Sequence, residues 1–137
     1  MISLVIDTSV LVLALLTRRS DAPTARILDA WSRGASRPVV SHTLIAEYIT
    51  VLRRPKLAER HGLRPKEIDA LVAALVRQCA VLDPPRPGPK APDAEDQFLF
   101  DLVATLPGTA LVTGDMALLG GGGVLAITPA EAAARWL

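Results

Sequence analysis

Four acidic residues lie at separate points of the chain where a fold could bring them together: Asp7, Glu47, Asp96 and Asp115. Asp7 follows the apolar run of residues 2–6, and Asp115 follows the run of residues 110–114. A carboxylate directly after a buried strand lies in the crevice where open α/β sheets bind ligands. Carboxylates gathered in one crevice repel one another unless a cation joins them, and oxygen ligands suit Mg²⁺ or Mn²⁺. These acids therefore predict a divalent-metal site built from carboxylates.

Three of these acids also have a structural explanation. Asp7 is a good helix N-cap residue, although Thr8 and Ser9 could cap a helix equally well. An ionised Asp after an apolar strand needs a partner, which a metal would supply. Glu47 lies on the shoulder of an apolar helix stripe, where a lone Glu is most often solvated. Asp115 could be a turn residue after a strand. Taken singly, none of the three decides between structure and chemistry.

Two further acids flank the start of a predicted helix. Asp93 is a natural N-cap, and Asp96, three residues later, resembles the second member of a capping box. Capping explains one of them but not the density of acids in residues 93–96, which is costly unless a cation offsets it. The choice between Asp93 and Asp96 as a metal ligand stays open, and Thr113 offers a hydroxyl near Asp115. The helix is predicted to carry four residues inward: Phe98, Leu99, Leu102 and Val103.

Length and composition indicate one globular domain, residues 1–137. Half of the residues are apolar and 21% are charged, which is enough for a packed core. The 15 basic and 14 acidic residues nearly balance, so the total charge neither suggests nor excludes nucleic acid. The single cysteine, Cys79, excludes an intramolecular disulfide and a multi-thiolate zinc site, and its apolar context predicts a buried inert thiol. The first residues resemble neither a signal peptide nor a membrane span, so we expect a cytoplasmic protein.

Strand and helix patterns alternate along the chain. Strands are predicted at residues 2–6, 38–40, 80–82, 110–113 and 124–127. Helices are predicted after Asp7, near Pro23, at Ser41, at Pro65, at Asp93 and at Thr128, with shorter turns at 56–61 and 116–119. Five prolines in residues 83–92 predict an extended loop. The alternation predicts an α/β fold, a three-layer sandwich whose mostly parallel central sheet is flanked by helices.

Taken together, these segments resemble the PIN domain family, the nuclease fold shared with VapC-type toxins. The resemblance covers nearly the whole chain and is carried by residues 6–11, 41–52, 93–99 and 111–115. The resemblance is greatest to the branch of toxin components of toxin–antitoxin systems. Residues 127–131 of this chain also resemble the end of that branch. Relatives often carry a further acid two residues after Thr-Gly-Asp, where this chain has Ala117. The number of metal ions is therefore left open.

The resemblance implies a Mg²⁺- or Mn²⁺-dependent ribonuclease. It implies that Asp7, Asp96 and Asp115 bind the metal directly or through water, and that Glu47 completes the cluster or orients the attacking water. Candidates for supporting these ligands are Thr8, Ser9, Asp93 and Thr113. The expected partners are RNA, a small antitoxin protein and a second copy of the chain in a homodimer, with no membrane. Basic residues that could contact RNA phosphates are Arg18, Arg19, Arg53, Arg54, Lys56, Arg60, Arg64 and Lys66.

Two other functions compete with this interpretation. A signalling domain similar to a receiver domain needs a Lys after a late strand, and the chain has no Lys after Lys90. A non-catalytic, partner-binding protein on the same fold is the stronger alternative, because fold does not fix function. His42 and His61 lack metal-ligand spacing, and the glycine run 120–123 matches neither phosphate-binding pattern. We expect that run to form a flexible turn.

Overall fold

The computed structural model describes residues 3–120 and 122–137, so Ile2 of the first predicted strand and Gly121 of the glycine turn lie outside the described residues. The strands within these ranges are β1 Ser3–Ile6, β2 Val39–Val40, β3 Ala80–Val81, β4 Thr109–Val112 and β5 Leu125–Ile127. The α-helices are α1 Thr8–Leu16, α2 Pro23–Ser32, α3 His42–Leu52, α4 Pro55–His61, α5 Pro65–Val76, α6 Gln97–Thr105, α7 Met116–Leu119 and α8 Pro129–Trp136. A 3₁₀ turn, Ala94–Asp96, precedes α6.

Every strand pair is parallel. One sheet has the order β1-β4-β5, and in it Ile6 lies opposite Val112, which lies opposite Ile127. A second sheet pairs β2 with β3, and β2 lies beside β1. The expected single central sheet is thus present as two parallel ladders within the described ranges, flanked by helices as predicted. Since the strands are parallel, the residues that follow β1, β4 and β5 all emerge at the same edge.

The paired strands β1 and β4 are buried on both faces, as parallel strands between helix layers must be. The aromatic side chains of Trp31, Tyr48 and Phe100 are the largest fully buried groups. Trp31 and Tyr48 meet edge to face, with ring centroids 6.0 Å apart. The Trp31 indole donates to the Leu75 carbonyl oxygen at 3.1 Å, and burial of these rings joins α2, α3 and α5.

The buried face of α6 differs in part from the sequence prediction. Phe100 is fully buried, whereas Phe98, which was expected to point inward, is only partly buried. The other three predicted positions are buried, so the phase of the helix is as predicted and Phe98 lies at the border of the buried stripe. The proline-rich loop is fastened to α6, because the Gly88 N–H donates to the Asp101 carboxylate at 2.7 Å.

The cysteine and one histidine have structural roles. Cys79 is free and buried; its thiol donates to the Leu75 carbonyl oxygen, and burial raises the thiol pKa to about 11. The predicted burial of the thiol is thereby confirmed. His61 ends α4: its Nδ1 accepts from the Leu63 N–H at 2.9 Å, and its Nε2 lies 2.8 Å from the Leu52 carbonyl oxygen. In the described part of the chain, no helix is both long and apolar enough to cross a membrane.

Replacing the buried ring of α6 tests this packing. Phe100→Ala should lower the free energy of unfolding by about 3–5 kcal/mol, because it leaves a cavity in the core. Phe98→Ala removes the same ring from a partly buried place and should cost clearly less. Urea denaturation of the two variants measures the difference. Equal losses would contradict the unequal burial of the two rings.

Candidate functional site

Asp7 lies at the carboxyl end of β1 and is 9% exposed. Its N–H donates to the Val112 carbonyl oxygen at 3.0 Å and so prolongs the β1–β4 ladder. It occupies the N-cap position of α1, but its side chain makes no cap hydrogen bond. Its Oδ2 instead accepts from the hydroxyls of Thr113 at 2.7 Å and Ser9 at 3.2 Å. Two hydroxyls, rather than the helix end, hold this carboxylate.

Thr113 joins two of the candidate acids. It lies directly after β4 and is fully buried. Its Oγ1 donates a hydrogen bond to Asp7 and accepts one from the Asp115 N–H at 3.0 Å. Asp115 is exposed, and its Oδ1 accepts the Ala117 N–H at 2.9 Å, which caps α7. The expected turn role of Asp115 is therefore observed. One of its oxygens serves that turn, and the neighbouring threonine ties the residue to Asp7.

Glu47 is held at the same edge by α3. It is half-buried, and its Oε2 accepts a short hydrogen bond from the Thr8 hydroxyl at the start of α1. The next residue, Tyr48, is fully buried and donates from its hydroxyl to the Ile6 carbonyl oxygen at 2.5 Å. This contact fastens α3 to the end of β1, immediately before Asp7. An apolar stripe in the sequence does not reveal where the hydroxyl of a tyrosine within it will donate.

The structure distinguishes the two acids before α6. Asp93 is exposed and accepts the Glu95 N–H at 2.9 Å, so it caps the 3₁₀ turn. Asp96 is partly buried, and its side chain makes no cap hydrogen bond at the start of α6. The capping box suggested by the sequence is therefore not formed. Asp93 therefore serves the structure as a cap, whereas the carboxylate of Asp96 caps neither the 3₁₀ turn nor α6.

The charges at this edge act on one another. Burial and, after it, the negative charges of Asp7, Asp93, Asp115 and Glu47 raise the pKa of Asp96 to about 6. The pKa of Tyr48 is also raised well above its usual value, first by burial and then by Cys79, Asp7 and Glu47. The other three candidate acids thus lie close enough to act on Asp96. Such mutual repulsion is what a bound cation would relieve.

The donor set fits a hard cation in its chemistry. It offers carboxylate oxygens, which Mg²⁺ and Mn²⁺ prefer. His42 lies outside this donor set, because its Nδ1 pairs with Asp83 Oδ2 at 2.6 Å. As the side chains are placed, however, no three acidic, histidine or cysteine residues in ranges 3–120 and 122–137 form a group that could hold an ion. Hydroxyls bind the carboxylates of Asp7 and Glu47, but the acids at this edge do not surround a common point.

One comparison with known proteins identifies a family. A family model described as a PIN domain matches residues 3–117 of the 137. The matched span contains Asp7, Glu47, Asp96 and Asp115 and ends at Ala117. No curated protein and no solved structure matches the chain. Two findings therefore bear on activity. One is this match, and the other is the placement of Asp7, Glu47, Asp96 and Asp115, which we call the acidic edge.

The raised pKa of Asp96 gives a stability prediction for metal-free protein. Because the pKa is higher in the folded chain than the value of about 3.9 in an unfolded one, the folded state holds the proton more tightly. The free energy of unfolding therefore falls as the pH rises from about 4 through 6. Asp96→Asn removes this loss and should raise the free energy of unfolding by about 1 kcal/mol near pH 8, after allowance for solvent screening.

Urea denaturation with a chelator present, at about pH 4.5 and pH 8, measures this effect. The gain should be smaller at the lower pH, because the Asp96 carboxyl is then largely protonated in the folded protein. Glu59→Gln, at an exposed acid of α4, is the control and should show no such pH dependence. A gain that is the same at both pH values would contradict a raised pKa of Asp96 in the folded protein.

Proposed function

The chain belongs to the PIN domain family, whose members are generally nucleases, and we propose that it is a metal-dependent endoribonuclease that hydrolyses RNA phosphodiester bonds. One observation carries the proposal: four acids from separate segments lie near the carboxyl ends of the parallel strands β1 and β4, where burial and the charges of the other three raise the pKa of Asp96. Like charges gathered in this way are typical of functional sites.

In the proposed mechanism, Asp7, Asp96 and Asp115 hold the metal. A divalent cation, Mg²⁺ or Mn²⁺, supplies charge stabilisation and lowers the pKa of water when it is bound. Glu47 is engaged by Thr8 through Oε2, which leaves Oε1 to orient the attacking water and accept its proton.

Hydroxyl groups keep the proposed ligands in place. Thr113 and Ser9 donate to Asp7, and Thr8 donates to Glu47. Asp93 supports Asp96 indirectly, because it caps the 3₁₀ turn that ends at Asp96. Outer contacts of this kind fix the orientation of metal ligands.

We further propose that this nuclease is the toxin of a type II toxin–antitoxin system. The sequence resemblance to VapC-type toxins supports this role. It implies a cytoplasmic protein that forms a homodimer and is restrained by a small antitoxin protein. Growth arrest on induced expression, relieved by Asp7→Asn and by the protein encoded in a neighbouring short gene, would support it. Unimpaired growth with active wild-type protein present would remove the toxin role and leave the nuclease.

Two observations favour a second candidate, a non-catalytic partner-binding protein. Ala117 stands where relatives often carry a further acid, and the described side chains form no closed ligand group. On this alternative the acids would serve only the fold, and purified protein would cleave no RNA at any divalent-metal concentration.

Substitution of the buried acid tests the nuclease. Asp7→Asn should abolish RNA cleavage, because it removes one negative charge from the proposed ligand set and keeps the shape of the side chain. Asp21→Asn, at an exposed acid paired with Arg19, is the matched control and should cleave as the wild type does. Gel analysis of RNA incubated with Mg²⁺, Mn²⁺ or a chelator measures both. Cleavage that survives chelation would exclude a metal-dependent mechanism.

The bridging threonine gives a separate prediction. Thr113→Val keeps the shape of the side chain but removes the hydrogen bonds to Asp7 and Asp115. Cleavage should fall about 10- to 100-fold, and half-maximal activity should need more metal. Thr113→Ser, which keeps the hydroxyl, should retain most of the activity. If valine and serine variants respond to Mn²⁺ alike, Thr113 does not position these ligands.

A further inference from the structure

The basic residues of the chain are concentrated in one segment. Residues 53–66 contain six of the 15 lysines and arginines and one of the 14 acids. Within this segment the basic side chains fall into two groups, those in ion pairs and those without one. Arg53 is bound by the Asp69 carboxylate, with both distances 2.8 Å, and Arg64 pairs with Glu67 at 2.9 Å. These two arginines are therefore occupied by structural ion pairs.

Three other basic residues lie in α4 or at its N-cap and form no such ion pair within the described residues. Arg54, Lys56 and Arg60 are exposed, and in the portion of the chain that the structure describes none of them has an ion-pair partner. Together with Pro55 and Leu57 they line an open cavity of about 770 Å³. We call these five residues the α4 patch. Glu59, the one acid of α4, is not among the lining residues.

The α4 patch is connected to the acidic edge by α3. Helix α4 packs against α1, which begins at Thr8, and against α3, which carries Glu47. Helix α3 ends at Leu52, which is five residues or about 7.5 Å along the helix axis beyond Glu47, and Arg54 is the N-cap of α4. The α4 patch therefore begins just beyond the C-terminal end of the helix that carries the proposed water-orienting residue.

We propose that the α4 patch binds phosphate groups of single-stranded RNA that extends beyond the cleavage site, an inference that rests on the proposed nuclease function. Three cations around one open cavity match the repeated charge of a nucleic-acid backbone. Their side chains, not the end of a seven-residue helix, supply the charge. A substrate held only at the acidic edge would meet repulsion, so positive charge beside that edge favours binding of a polyanion.

Salt dependence of RNA binding tests the α4 patch. The variant combines Arg54→Gln, Lys56→Gln and Arg60→Gln, and the control combines Arg26→Gln, Arg37→Gln and Arg77→Gln, which removes equal charge at exposed residues elsewhere. Both are made in the Asp7→Asn background so that RNA is not consumed. A fluorescent single-stranded RNA of about 12 nucleotides is titrated at about 50 to 200 mM KCl. Urea midpoints near that of the parent protein establish that both variants fold.

Loss of three phosphate contacts should reduce the slope of log K against log salt by about 2, and should weaken binding at least about tenfold near 100 mM salt. The control should change the slope much less. Equal slopes for the two triple variants would overturn the proposal. A patch that binds an acidic protein segment instead would leave the RNA slope unchanged, and would overturn it as well.

Cleavage separates this proposal from the nuclease function. With Asp7 restored, the triple variant of the α4 patch should cleave bis(p-nitrophenyl) phosphate at the wild-type rate, because this small phosphodiester does not reach α4. Its KM for RNA should rise while kcat changes little. If the wild-type protein cleaves neither substrate, the nuclease proposal fails, and the binding slopes still decide whether the α4 patch holds RNA.

Discussion

Burial of the Asp7 carboxylate is the constraint on which the acidic edge depends. A carboxylate that is 9% exposed needs hydrogen bonds, because an unsatisfied buried charge costs many times the energy of one such bond. Thr113 can donate to it only because β1 and β4 run parallel with Ile6 opposite Val112. The Asp115 N–H reaches Thr113 through a local contact, two residues along the chain. Backbone pairing in the sheet therefore fixes the spatial relation of acids that are 108 residues apart in the chain.

The edge retains electrostatic repulsion that local interactions do not remove. Asp93 caps the 3₁₀ turn, and this leaves Asp96 without a capping role although its position would allow one. Asp96 is then partly buried beside four other carboxylates, which raise its pKa. A sequence optimised only for stability would place Asn or Ser here. Departures from local rules of this kind are expected where function constrains the residue.

The sequence predicted the strands and most helices, because each is a continuous apolar run or a clear stripe bounded by Pro, Gly or a capping residue. It could not predict that Phe100 rather than Phe98 enters the core, since both flank the buried stripe of α6 and tertiary packing decides which side of the stripe is covered. Nor could it predict which hydroxyl reaches which acid. The Thr8–Glu47 contact joins residues 39 positions apart, and such pairs depend on tertiary packing alone.

The near-neutral charge of the chain conceals two opposite local fields. Four acids crowd one edge of the sheet, while residues 53–66 carry an excess of cations. At physiological ionic strength the Debye length is about 8 Å, so each field acts mainly on the part of a ligand that lies next to it. A polyanion would be repelled by the first and attracted by the second, so the total charge says nothing about affinity for RNA. The relevant quantity is how the fold distributes charge between Glu47 on α3 and the α4 patch.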